Sequence, residues 1–299
     1  MKEFFKNSWH IIKDSFYDFR KNDPVIYSGS IAFFTIFSLP AILIVFTLVG
    51  SLFFTEEDVR DEIVAQVESI ATEEAATQVG TILKNIVELP ARGWGIIIGV
   101  LVVINSATAI FHILQKGLNS IWDVKVKDEV KYLKLIKYRL KNFAMVAGLG
   151  LLFFLTILFD TLLVFFDDQL RDLFGGMASP AIWILNYLFS MAVVLIFFSA
   201  ILKVLPDTKI AWKDAFAGGI ITAILFLLGK QLINFIIQNI LLAGLYAAAA
   251  GSLVFILLWV FYSSIILFLG AEITKAYANN RGREIKPTEI SEKMEIVKK

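Results

Sequence analysis

The side chains best placed to do chemistry in this chain are polar groups set inside apolar runs. Lys230 follows the run Ile220 to Leu228, and Gln231, Asn234 and Gln238 come after it among further Leu, Ile and Phe. On a helix advancing by about 100° per residue, Asn234 lies about 40° from Lys230, Gln238 about 80° and Gln231 about 100°, so the four share a face. Asn239 falls on the far side. A lysine at the centre of a membrane helix costs about 2.5–3.5 kcal/mol to insert, so its first reading is functional or paired. Asn105, Thr108 and His112 repeat the pattern in an earlier apolar run, with Asn105 and His112 about 20° apart and Thr108 within about 60°. The chemistry on offer is one cation with amide, hydroxyl and imidazole groups, which suits holding an anionic group in a low-dielectric setting.

Other chemistries lack their residues. The chain has no cysteine, which removes disulfides, thiolate metal sites and cysteine nucleophiles. Its two histidines, His10 and His112, fall on different predicted elements, and no D-x-D or histidine-rich ligand spacing occurs. No nucleotide-binding motif is present, so no cofactor is expected and the chain is not read as an enzyme. Structural readings stand beside the functional ones. Asn and Thr commonly join spans by hydrogen bonds of about 0.6–2 kcal/mol. His112 reads equally as snorkelling to an interface. Asp160, the one acid within the third span, sits about 6–10 Å above Lys230 at 1.5 Å per residue, within partial reach of the lysine stem. A structural Lys230–Asp160 pair and an open anion site remain alternatives. Ala215, Gly219 and Ala223, with Gly218 and Thr222, read as a close helix contact. Glu272 lies near the inner end of the last span, where an acid is cheap.

These residues need spans to hold them. The 299 residues are 58% hydrophobic and 18% charged, and the charges sit between long apolar stretches, as in an all-α polytopic membrane protein. Six stretches are long enough to cross about 30 Å of hydrocarbon. They lie near 27–54, 94–116, 141–166, 181–203, 214–243 and 248–275. Pro40 is expected to kink the first. No cleavable leader pattern is read in the first 27 residues. Lys and Arg in the N-terminal segment, the 116–141 and 203–213 connections and the tail number 23, against four in the opposite connections. That bias places both termini in the cytoplasm.

Residues 1–26 hold an amphipathic cytoplasmic helix over 4–20, ended by Asp23-Pro24. The external insert 55–93 reads as a small helical cap, with a capping box at Thr55-Glu56-Glu57-Asp58 and a second start at Thr72. Its nine acids read as a solvated face. The 116–141 connection is basic and helical in pattern. It would attract anionic lipid headgroups by about 1 kcal/mol per base, or simply enforce topology. No stacking motif accompanies these bases, so nucleic acid is not an expected partner. Residues 276–299 read as a charged cytoplasmic tail. Membrane lipids are the expected partners, and a homo-oligomer is compatible with the sequence.

Three stretches resemble the YihY/BrkB family of inner-membrane proteins, once labelled ribonuclease-BN-like. They are Asp23-Pro24 to Leu39-Pro40 with Ser28-Gly29-Ser30, then Leu205-Pro206-Asp207-Thr208 to Trp212 with Ala217-Gly218-Gly219, then Gly251-Ser252-Leu253 through Leu257–Ser264 to Leu269-Gly270-Ala271-Glu272. The similarity spans roughly 8–280 and leaves the tail outside. It implies a six-helix inner-membrane protein with no settled activity, whose members are connected with serum resistance and with export of lipid or lipopolysaccharide precursors. The nuclease label finds no residues here to support it. The reading is transport or flipping of an anionic lipid or envelope-lipid precursor through a polar intramembrane cavity. The alternatives are a small-solute or ion transporter, or a non-transporting envelope scaffold.

Overall fold

Asp23 interrupts the chain by taking a left-handed φ of 47°, which aspartate tolerates better than most residues, and proline follows. The helical residues 17–21 stop there, and helix α1 (Pro24–Gly50) starts with Ile26 N–H donating to the Asp23 carbonyl at 3.0 Å. Asp23-Pro24 is therefore the expected break, made by a left-handed turn instead of the extended conformation usual before proline. The computed structural model describes residues 15, 17–50, 55–70, 94–127, 178–239 and 249–294, with isolated positions at 76–77, 79–81, 83–84, 129 and 148. The third predicted span, Asp160, most of the basic 116–141 connection and most of the N-terminal amphipathic helix lie outside them.

Five of the described helices lie over apolar stretches picked out in the sequence. They are α1, α3 (Trp94–Ile121), α4 (Ala178–Val204), α5 (Trp212–Asn239) and α6 (Ala249–Asn280). Helix α1 continues through Pro40. Among the described residues, Trp212–Gly229 of α5 and Leu257–Asn280 of α6 are long and apolar enough to cross a membrane. Between α1 and α3, helix α2 (Glu56–Ile70) begins at the expected cap. The Asp58 amide donates to Thr55 Oγ1 at 3.2 Å, and the Thr55 hydroxyl donates to Asp58 Oδ2 at 2.5 Å. Three acids in the first turn suit the helix dipole there. Thr55→Ala should cost about 1 kcal/mol of α2 stability. Amide exchange over 56–60 should then run about fivefold faster, and unchanged exchange would contradict the cap.

The chain divides into two compact units. One comprises Asp23–Leu114 and Leu228–Ile265. Its described core is Leu43 of α1 with Val79 and Leu83, against which Ile63 and Val64 of α2 pack. Within the same unit, the Tyr262 ring of α6 lies over Gly229 of α5, where a Cβ would strike it.

The other unit comprises Met1–Asn22, Gln115–Leu227 and Ile266–Lys299. Here α5 and α6 touch backbone to backbone. Gly218 abuts the Gly270 carbonyl and the Thr274 hydroxyl, and Gly270 abuts the Thr222 hydroxyl. Both hydroxyls are satisfied within their own helices, Thr222 on Gly218 O at 2.9 Å and Thr274 on Gly270 O at 2.8 Å. Gly219 meets Ser199 of α4, and Ala215 and Ala223 of the same row are fully buried. The small-residue row is thus a packing surface.

Two short strand pairs close this unit, and they correct two expectations. The 116–141 connection is helical only through Ile121 at its start, and then turns into a strand. Helix α3 runs on to Ile121, and the alternating Val124-Lys125-Val126 forms β1 (Val124–Val126), antiparallel to β4 (Ser291–Lys293). Between α4 and α5, β2 (Thr208–Lys209) pairs with β3 (Lys286–Pro287). Residues 281–294 are therefore built into the fold, and Ile290 and Ser291 are buried. The partner strands are more than 70 residues apart in sequence, so no local pattern announces the pairing.

Candidate functional site

The polar stripe expected in the second apolar run falls on helix α3. Asn105, Thr108 and His112 project from α3 at three- and four-residue spacing, and all three are exposed. Polar side chains exposed on an apolar helix point either to lipid, which is costly, or to a cavity. Gln231 of α5 is also exposed. Lys230, Asn234 and Gln238 lie on the same helix, but their side chains are outside the described residues. A meeting of the α3 and α5 faces, and a Lys230–Asp160 pair, lie outside them too.

Sequence reasoning missed a second polar assembly. The three-and-four spacing of α3 does not stop at His112; it continues to Gln115 and Asn119. Both reach Asp207, in the α4–α5 connection. Asn119 Nδ2 donates to Asp207 Oδ2 at 2.7 Å, and Gln115 Nε2 donates to Oδ1 at 3.2 Å and to the Leu205 carbonyl at 3.1 Å. The Asp207 amide returns a bond to Asn119 Oδ1 at 2.8 Å. Its carbonyl accepts from the Thr288 amide at 3.0 Å and the Ser291 hydroxyl at 2.6 Å. Asp207, Asn119 and Ser291 are all buried. The contacts form a ring: α3 to Asp207, Asp207 to the tail, and the tail through β4 and β1 back to α3. Leu-Pro-Asp-Thr gave the only sequence signal for Asp207, as part of the family resemblance.

Two ion pairs flank the ring. Lys275 of α6 donates to the Ile121 carbonyl and to Asp123 Oδ2, both at 2.6 Å, placing a cation at the C-terminus of α3. Arg283 of the tail holds buried Asp214, in the first turn of α5, at 2.5 Å. At the tail's edge, the exposed Glu284 carboxyl is held below its usual range, first by the hydrogen bond from Lys293.

Glu272 departs from its expectation. It is 1% exposed, not a cheap interfacial acid, and its Oε1 accepts from Asn22 Nδ2 at 2.6 Å. The chain just before α1 covers it.

Nothing in this arrangement supplies a nucleophile with a base, and among the described residues no group of three metal-ligating side chains occurs. Its chemistry is hydrogen bonding and charge placement at the ends of long apolar helices, and that defines a helical membrane protein. The chain belongs to the family described as Virulence factor BrkB, whose family model matches residues 15–295. The match includes nearly all of the tail, which the resemblance over 8–280 had left out. A "UPF0761 membrane protein" of Pseudoalteromonas atlantica is 24% identical over 83% of this chain and 79% of its own length. A second protein of that description, from Nitrosospira multiformis, is 29% identical over 86% of this chain and 58% of its own length. A Bacillus subtilis relative described as "Putative ribonuclease-like protein YfkH" is 23% identical over 88% of this chain and 93% of its own length. No solved structure matches.

Proposed function

We propose that this chain is a six-span inner-membrane protein with both termini in the cytoplasm, and that it moves an anionic lipid or envelope-lipid precursor between leaflets. The observation that carries the reading is the exposure of Asn105, Thr108 and His112 on one face of the apolar helix α3. Lys230, Gln231, Asn234 and Gln238 supply a second polar face on α5, and a cationic group there would hold the headgroup while the acyl chains stay in lipid. The basic inner connection would gather anionic lipid at the cytoplasmic face. Ribonuclease chemistry is not part of this reading.

The chain's lack of cysteine makes the test direct. Single cysteines at positions 105, 112, 230, 234 and 238 should react with a membrane-impermeant thiol reagent at least tenfold faster than cysteines at the exposed apolar positions 188 and 232. Equal rates would remove the cavity. Slow reactions at 234 and 238, where Lys230 is kept, that speed up when Asp160 is replaced by Asn would favour the structural pair.

A further inference from the structure

The pairing of β2 with β3 sets Lys209 opposite Lys286. Direct partners on antiparallel strands stand about 5 Å apart at Cα, and like charges in that position repel. Both side chains are exposed, and among the described residues neither has an ion-pair partner. The nearby acid Glu284 is bound by Lys293 at 2.6 Å and feels the charge of Lys286 only as a weaker, longer-range attraction. Lys213, also exposed, adds a third positive charge a few residues on.

The ends of the apolar helices fix the depth of this pair. The membrane-length window of α5 begins at Trp212, three residues after Lys209, and that of α6 ends at Asn280, six residues before Lys286. Trp212 and Phe216 open the α5 window as an exposed aromatic pair, 49% and 36% accessible, with ring centroids 5.8 Å apart. Exposed tryptophan at the end of an apolar helix is the signature of the membrane–water interface. Two lysines rooted at one cross-strand position at that level repel each other, and an anion sitting across them would relieve the repulsion.

We infer that the Lys209–Lys286 strand pair is a binding site for the phosphate of an anionic phospholipid headgroup in the cytoplasmic leaflet, with Trp212 seated beside the lipid. The backbone pairing holds the two lysine stems together, so the site is built by the fold and needs no lipid movement to exist. It rests on the membrane placement of α5 and α6, not on transport.

The test uses the full chain in phosphatidylcholine vesicles containing either brominated phosphatidylglycerol or brominated phosphatidylcholine at equal fractions. Quenching of Trp212 is isolated by subtracting the Trp212→Phe signal. The anionic lipid should quench Trp212 preferentially, and K209Q/K286Q should lower that preference about fivefold for each lysine lost. K209R/K286R, which keeps the charge, and K21Q/R281Q, a charge-matched change on the same side, should both retain it. Equal quenching by the two lipids would overturn the site. So would loss of the preference in K21Q/R281Q, which would show diffuse charge in place of a site. Displacement by millimolar inorganic phosphate would assign the lysines to a free anion and overturn the lipid assignment. Failure of either lipid to quench Trp212 would overturn it together with the membrane placement. Absence of transbilayer lipid movement, by contrast, would leave this site standing and count only against the transport reading.

Discussion

Gly218→Ala is expected to lower the stability of the membrane-embedded fold by about 1–3 kcal/mol or more, because the added methyl has no room. A Cβ at Gly218 would overlap the Thr274 hydroxyl and the Gly270 carbonyl together. A side chain can swing aside, but a carbonyl inside a helix can move only if α5 and α6 separate. Thr274→Ala should therefore rescue Gly218→Ala only in part, a coupling that a double-mutant cycle will register. Gly29→Ala is the matched control. Its Cβ would meet nothing within 4 Å, and alanine is the better helix former, so stability should hold or rise. Thermal unfolding in detergent decides the matter. A Gly218→Ala protein that melts with the wild type would show that the α5–α6 contact is not as described.

Asp207→Ala is expected to cost about 2–5 kcal/mol, since it removes the acceptor shared by the buried Asn119 amide and the part-buried Gln115 amide. Gln115 would keep its bond to the Leu205 carbonyl, but Asn119 Nδ2 would lose its partner in a buried setting. The backbone bonds from Thr288 and Ser291 to the Asp207 carbonyl survive the change, so the tail should loosen but not detach. Asp207→Asn, which keeps one acceptor oxygen, should cost less. Two measurements check this: the melting temperature, and proteolysis of residues 281–294, which should accelerate in Asp207→Ala. Unchanged proteolysis with a lowered melting temperature would confine the role of Asp207 to α3 and the α4–α5 connection.

The helices were legible because their signal is local. Apolar length alone marks them, and α1, α3, α4, α5 and α6 all lie over stretches that hydropathy picks out. The cap at Thr55 and the packing role of Gly218 and Gly219 were legible for the same reason: each depends on residues within one turn of helix. The ring around Asp207 was not legible, because its members are 84–92 residues apart and belong to connections that hydropathy treats as spacers. One clue was present. The polar spacing of α3 runs on through Gln115 and Asn119, and following it past His112 points to an acceptor beyond the apolar run. Charge hid the structure of the tail, which read only as a charged segment. There Ile290 and Ser291 are buried, Arg283 holds an aspartate, and the strand pairs need the segment in place.

In the proposed function, the polar face around Lys230 carries an anionic headgroup across the bilayer. The most direct test is reconstitution into liposomes, following transbilayer movement of labelled phosphatidylglycerol with wild-type protein and with Lys230→Ala. Movement well above protein-free liposomes is expected, slowed about tenfold by Lys230→Ala, which corresponds to roughly 1.4 kcal/mol of lost headgroup attraction. Movement at the same rate in both proteins, or none above protein-free liposomes, would contradict it.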